Sequence, residues 1–187
     1  LATVREVMVS YVQQIDSLDR ANKQLVKENK EVRQQYQVVV REAKQLEKER
    51  TQLAEVVSRA SMLEVSDFKM IALNKRDRKT TIYNQIMKLQ FDYTIGRNVT
   101  SKPGMKMLYM RITRPDGEVM QKHINDVFKF ENKEIAYSVS KEFEYAGEEI
   151  SGSLYWLVEE ILQTGVYNAD FFVDGELIGS FPFEIKK

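Results

Sequence analysis

Leu18-Asp-Arg-Ala-Asn22-Lys-Gln-Leu25-Val-Lys-Glu-Asn29-Lys-Glu-Val32-Arg-Gln-Gln-Tyr36-Gln-Val-Val39 decides the architecture, because Leu18, Leu25, Val32 and Val39 return every seven residues, the spacing of one heptad position. Extended outward with Leu1 as position a of a heptad, the d positions read Val4, Tyr11, Leu18, Leu25, Val32, Val39, Leu46, Leu53 and Ala60, all apolar. The a positions read Leu1, Met8, Ile15, Asn22, Asn29, Tyr36, Ala43, Arg50 and Val57, a seam interrupted by Asn22, Asn29 and Arg50. A period sustained over so many turns predicts a left-handed coiled coil rather than a globular helix. Residues 1–62 are therefore expected to form a rod of about 90 Å that pairs with another copy of the chain.

The residues expected to carry that pairing are Val4, Met8, Tyr11, Ile15, Leu18, Asn22, Leu25, Asn29, Val32, Tyr36, Val39, Leu46 and Leu53. Asn at an a position bonds its mate across a parallel two-stranded seam and disfavours other registers, at some cost in stability. Flanking charges add little: Glu28 and Arg33 attract in a parallel pair, whereas Glu42 and Glu47 repel. Val12, Val26 and Val40 at e, with Val7 and Val56 at g, widen the stripe and also fit a trimer.

Composition narrows the function classes. The chain has 187 residues, with 28 Lys and Arg balancing 28 Asp and Glu, so charge offers no case for a nucleic-acid partner or an anionic membrane. Residues 63–130 carry 13 basic against 7 acidic side chains and residues 131–187 carry 4 against 12, which largely cancel if both fold into one body. Absence of cysteine excludes disulfides, thiolate nucleophiles and zinc–thiolate sites. No apolar run approaches a membrane span and no signal peptide is visible, although the chain opens on Leu1 rather than Met, which leaves room for an upstream segment.

After Ala60 the period changes to two. Leu63, Val65, Phe68, Met70 and Ala72 read as a strand whose inward phase slips near Ser66–Asp67, as at a β-bulge. Lys75–Lys79 is a charged turn, and Leu89, Phe91, Tyr93 and Ile95 alternate with polar residues in a half-buried strand. Further strands are expected at 105–112, 118–121 after the Arg114-Pro-Asp-Gly117 turn, 127–130, 135–145, 153–160, 166–174 and 177–185, with Asp174-Gly175 as a hairpin turn. Seven to nine short strands without a helical period predict an all-β antiparallel sandwich of immunoglobulin-like type over residues 63–187. Tyr167, just after the Gly165 turn, is either a tyrosine corner or a plain core tyrosine, and Trp156 is expected in the core.

Catalytic chemistry has little to stand on. His123 is the sole histidine and lies in a polar stretch, so no histidine-based triad is available. Glu148–Glu149 and Glu159–Glu160 are adjacent residues, which point to opposite faces of a strand. Asp170, Asp174 and Glu176 are close enough in sequence to approach one another around the last hairpin but lack calcium-loop spacing, and no phosphate loop or nucleophile elbow is present. Asn98-Val-Thr100 is a formal glycosylation sequon. No catalytic residue, cofactor or metal is expected.

Tyr93-Thr-Ile-Gly-Arg-Asn98, Pro103-Gly104, Leu108-Tyr-Met-Arg-Ile112 and Arg114-Pro-Asp-Gly117, with Gly165-Val-Tyr167 and the Val173-to-Phe183 hairpin, resemble a family of uncharacterised Gram-negative envelope proteins that join a coiled coil to a C-terminal immunoglobulin-like sandwich. Members are often labelled as chromosome-segregation proteins for their heptads, but nothing here resembles an ATPase head. The resemblance implies an upstream membrane anchor and an envelope location, most simply periplasmic, and supplies no catalytic residues. Two functions follow as expectations. One is a non-enzymatic dimeric scaffold or tether whose sandwich binds an envelope protein; the other is a glycan- or cell-wall-binding module on a stalk. Exposed aromatics on one sheet face, Tyr155 or Phe172 among them, would favour glycan, whereas a polar face beside a free edge strand would favour protein.

Overall fold

A computed structural model of the chain describes residues 2–187; Leu1, the first a position, lies outside them. The chain divides into two compact units, Leu1–Glu55 and Val56–Lys187. Helix α1 runs Ala2–Ala60. It contains neither Gly nor Pro, so nothing interrupts its hydrogen-bond ladder. The ladder closes where Ser61 N–H donates to Val57 C=O at 2.9 Å and Met62 N–H to Arg59 C=O at 3.3 Å. The last turn of the helix, from Val56, belongs to the β-rich unit, where Asn98 bonds the Ala60 carbonyl.

That unit is all β and antiparallel. Its strands are β1 (Val65–Leu73), β2 (Lys88–Ile95), β3 (Gly104–Thr113), β4 (Val127–Phe130), β5 (Lys133–Ala136), β6 (Val139–Tyr145), β7 (Ile150–Leu157), β8 (Gly165–Val173) and β9 (Glu176–Ile185). One sheet has the order β1-β2-β7, a second β6-β3-β8-β9, and β4-β5 form a separate hairpin. The β1 register slips between Val65 and Asp67, at the bulge read from the sequence. Asp174 (φ 54°) and Gly175 (φ 79°) both take left-handed backbone between Val173 and Glu176, as a two-residue type I′ turn demands.

The two larger sheets share one core. Leu89, Phe91, Tyr93 and Ile95 of β2 and Leu154 and Trp156 of β7 are buried together with Leu108, Met110, Ile112, Ala169, Phe171 and Ile185. Aromatic rings knit the layers: Phe91 meets Phe183 edge-on at 5.5 Å, and Phe68 stacks on Phe181 at 4.8 Å. Tyr93 lies across Gly152, its cross-strand partner, where an added Cβ would come within 2.6 Å of the phenol oxygen.

Three sequence expectations change. Phe172 is 4% exposed rather than a surface aromatic. The β4–β5 hairpin supplies the cover: Phe128 and Phe130 lie 5.0 and 5.1 Å from the Phe172 ring, and Tyr109 stacks on Phe128 at 4.4 Å. The single strand expected over 135–145 is two, since Ala136 pairs with Val127 while Val139 pairs with Met110. Buried Ser138 makes the crossing, its N–H donating to Met110 C=O and its Oγ accepting from Ile112 N–H, both at 2.8 Å. Residues 118–121 form only a bridge, Thr113 to Val119, rather than a strand.

Candidate functional site

Unit one presents a stripe of exposed apolar side chains. Val4, Met8, Tyr11, Ile15, Leu18, Leu25, Val32, Tyr36, Val39, Leu46 and Leu53 are between 55% and 70% exposed, and Asn22 and Asn29 are exposed within the same seam. Intrahelical bonds serve the polar faces: Arg20 pairs with Asp16 at 2.8 Å, Lys23 with Asp19 at 2.6 Å, and Gln24 donates to Glu28 at 3.0 Å. Asn29 Nδ2 turns back to Leu25 C=O at 3.1 Å. Such exposed pairs add a few tenths of a kcal/mol each. Covering one leucine of the seam contributes about 1.5–3 kcal/mol, so the stripe is the larger reservoir of free energy. No described helix is long and apolar enough to cross a membrane.

On the β-rich unit, the outer face of the first sheet is polar. Asp92 accepts from Ser153 Oγ at 2.6 Å and from Gln90 Nε2 at 2.8 Å, and Thr94 and Ser151 hydroxyls meet at 2.9 Å across the same strands. The Ser153 hydroxyl, then the Gln90 amide, hold the Asp92 carboxyl below its usual range. Tyr155 is half exposed at the end of this face, with Lys88 Nζ 5.8 Å from its ring centre.

The acidic pairs are dispersed. Glu160 meets Arg114 at 3.3 Å, and Arg114 also binds Glu118 and reaches Asp116 at 3.5 Å. The Glu118 backbone N–H keeps the Asp116 carboxyl below its usual range. This cluster flanks a cleft of about 340 Å³ beside Trp156, over which Lys122 Nζ sits at 5.7 Å. Glu148 pairs with Arg97 at 3.4 Å, and neither glutamate pair lies on a strand. Asp174 binds Lys106, while Asp170 accepts from Ser180 Oγ at 2.6 Å, so the last hairpin does not gather a cation site. Among the described residues no three His, Asp or Glu side chains converge as metal ligands. His123 is exposed.

Three residues take structural roles that spacing alone left unread or undecided. Asn98 is a hub: its Nδ2 donates to Ala60 C=O at 2.9 Å and Met62 C=O at 2.8 Å, and its Oδ1 accepts from Thr100 and Ser101 N–H at 2.9 and 3.1 Å. A glycan on Nδ2 would remove one of those bonds, so the sequon serves the fold. The buried Tyr145 hydroxyl supports the same loop, donating to Gly96 C=O at 2.8 Å and accepting from Asn98 N–H at 2.7 Å. Tyr167, 1% exposed, donates its hydroxyl to Gln163 C=O at 2.8 Å, the bond of a tyrosine corner, and burial raises its pKa above 10.0.

Residues 66–186 match the model of a family described as a domain of unknown function (DUF8428), and residues 1–51 match a coiled-coil region of unknown function (DUF8429). No curated protein matches the chain. Among solved structures it is similar to the Pseudomonas fluorescens alkylpurine DNA glycosylase AlkC bound to DNA with an abasic site analog, at 12% identity and a TM-score of 0.38 over 68% of this chain and 31% of that one. It is also similar to a Kluyveromyces marxianus β-glucosidase in complex with glucose, at 10% identity and a TM-score of 0.40 over 67% of this chain and 14% of that one. The chain thus spans under a third of either protein, and at these TM-scores neither likeness assigns a fold or an activity.

Proposed function

The chain belongs to the DUF8428 family, and we propose that it acts as a non-enzymatic scaffold. In this reading α1 forms a parallel two-stranded coiled coil, and the β-rich unit is an immunoglobulin-like sandwich that engages a protein of the bacterial envelope. The single observation that carries the proposal is the exposed seam from Val4 to Leu53. A helix whose apolar stripe stays in water gains little from its own propensity, and most helical stability comes from burying such a face. A second copy of the chain supplies a matching stripe and lets the amides of Asn22 and Asn29 meet their mates.

The sheet orders β1-β2-β7 and β6-β3-β8-β9, the shared core and the Tyr167 bond support the sandwich type. A protein partner, rather than glycan, is favoured by the polar Asp92 face, the free sheet edges and the burial of Phe172. The non-enzymatic reading is favoured because Glu118 and Glu160, the carboxylates nearest Arg114 beside the Trp156 cleft, are both held in ion pairs with it. A periplasmic location and an anchor upstream of the rod belong to the same proposal, supported by the resemblance of residues 93–117 and 165–183.

Sedimentation equilibrium of the full chain tests the scaffold. At tens of micromolar, on the order at which a modest coiled coil associates, the wild type is expected as a dimer and Leu18→Ser/Leu25→Ser as a monomer with unchanged Trp156 fluorescence. A monomeric wild type refutes the proposal.

A further inference from the structure

One edge of the β-rich unit is open. β1 ends its sheet, and the chain beyond it folds back to close only the far end, where Thr80 N–H donates to Ala72 C=O at 3.0 Å and Asn74 N–H to Arg78 C=O at 2.9 Å. N–H and C=O of one strand residue share an edge, and successive residues alternate. The bond at Ala72 therefore places the backbone groups of Met70 and Phe68 on the open edge. Leu73, by contrast, accepts from Met87 N–H at 2.8 Å on the β2 side, with Ile71 and Lys69 in phase.

Against this edge opens a cleft of about 620 Å³ between β1 and the end of β9. Met70, Ala72, Ile86 and Ile185 give it apolar walls, Glu184 and Lys186 on its β9 side pair with each other at 3.3 Å, and Lys69 and Lys79 stand at the β1 side as its unbalanced charge. Lys69 is the cross-strand neighbour of Asp92, which sets it on the polar outer face. A strand laid beside β1 would thus send alternate side chains into the apolar cleft and the others toward lysine.

Taking the β-rich unit as a protein-binding module, we propose that the Phe68–Met70 edge accepts an extended segment of a partner protein, with apolar residues alternating with acidic ones, as an added strand. Backbone bonds supply adhesion, the cleft takes the apolar side chains, and the lysines select for negative charge. The same lysines discourage two β1 edges from pairing with each other.

The test uses the full chain and two synthetic peptides of about eight residues, one alternating Val with Glu and the other Val with Lys. Fluorescence anisotropy is expected to show saturable binding of the Glu peptide and none of the Lys peptide, with slower hydrogen exchange at the Phe68 and Met70 amides. Lys69→Glu/Lys79→Glu, its fold checked by Trp156 fluorescence, should weaken the Glu peptide by about tenfold or more. Met70→Pro, which removes an edge N–H without touching the bonds to β2, should abolish binding. Equal binding of both peptides, binding of neither, or protection away from β1 overturns the site. Sedimentation of the same samples separates the two ideas: an intact dimer that binds neither peptide refutes this edge alone, and a monomer refutes the scaffold.

Discussion

Replacing Tyr167 by Phe isolates one hydrogen bond. The ring stays, with its 5.3 Å stacking on Phe183, so no cavity opens and the transfer of apolar surface is nearly unchanged. What is lost is the bond from the buried hydroxyl to Gln163 C=O at 2.8 Å. A net intramolecular bond is worth about 0.5–1.5 kcal/mol, and a buried acceptor left unmatched costs about 1–3. Gln163 is itself exposed and water can reach its carbonyl, which places the expected loss near the lower range, about 1–2 kcal/mol. With an m-value of about 2 kcal/mol/M in urea, the midpoint should fall by about 0.5–1 M at unchanged slope. Trp156, the sole tryptophan and 7% exposed, reports this unit by fluorescence without interference from the helix, which is followed by far-UV circular dichroism. An unchanged fluorescence midpoint would refute the reasoning, as would a shift confined to the helical signal.

Asn98→Ala removes two donated and two accepted bonds in one step and should destabilise the β-rich unit by about 2–3 kcal/mol, with faster amide exchange at Thr100 and Ser101 as the local signature. Asp92 has a folded pKa depressed below 3.8, so its stabilisation is present above about pH 4 and is lost as pH falls through the folded value. Urea melts should therefore show wild type and Asp92→Asn converging as pH falls below 3.8, with the wild type more stable near pH 6. Asp174→Val puts a β-branched residue at φ 54° and removes the partner of Lys106, which should lower the midpoint by the equivalent of about 1–2 kcal/mol, whereas Asp174→Asn should cost less.

Elements whose signal is local were legible before any coordinates. The period from Val4 to Leu53, the alternation from Leu89 to Ile95, the slip at Ser66–Asp67 and the Asp174-Gly175 turn each depend on residues adjacent in the chain, and each has its counterpart in the structure. The break inside 135–145 was not legible, because apolar residues on either side of Ser138 serve two different neighbours and alternation does not record which. Phe172 misled for the same reason. Its place on the outer face follows from period two, but its burial depends on Phe128 and Phe130 folding over it from more than forty positions upstream.

The sequence by itself determined a long uninterrupted helix with an apolar seam, an all-β region after it and the absence of thiols, since periodicity, turn residues and composition are properties of the chain. Tertiary structure decided which carboxylates meet which cations, that Asn98 ties the loop to residues 60–62, and that the β1 edge stays open over Phe68 and Met70. Those are outcomes of long-range pairing, in which the free energy of a contact depends on a partner tens of residues away that no local pattern names.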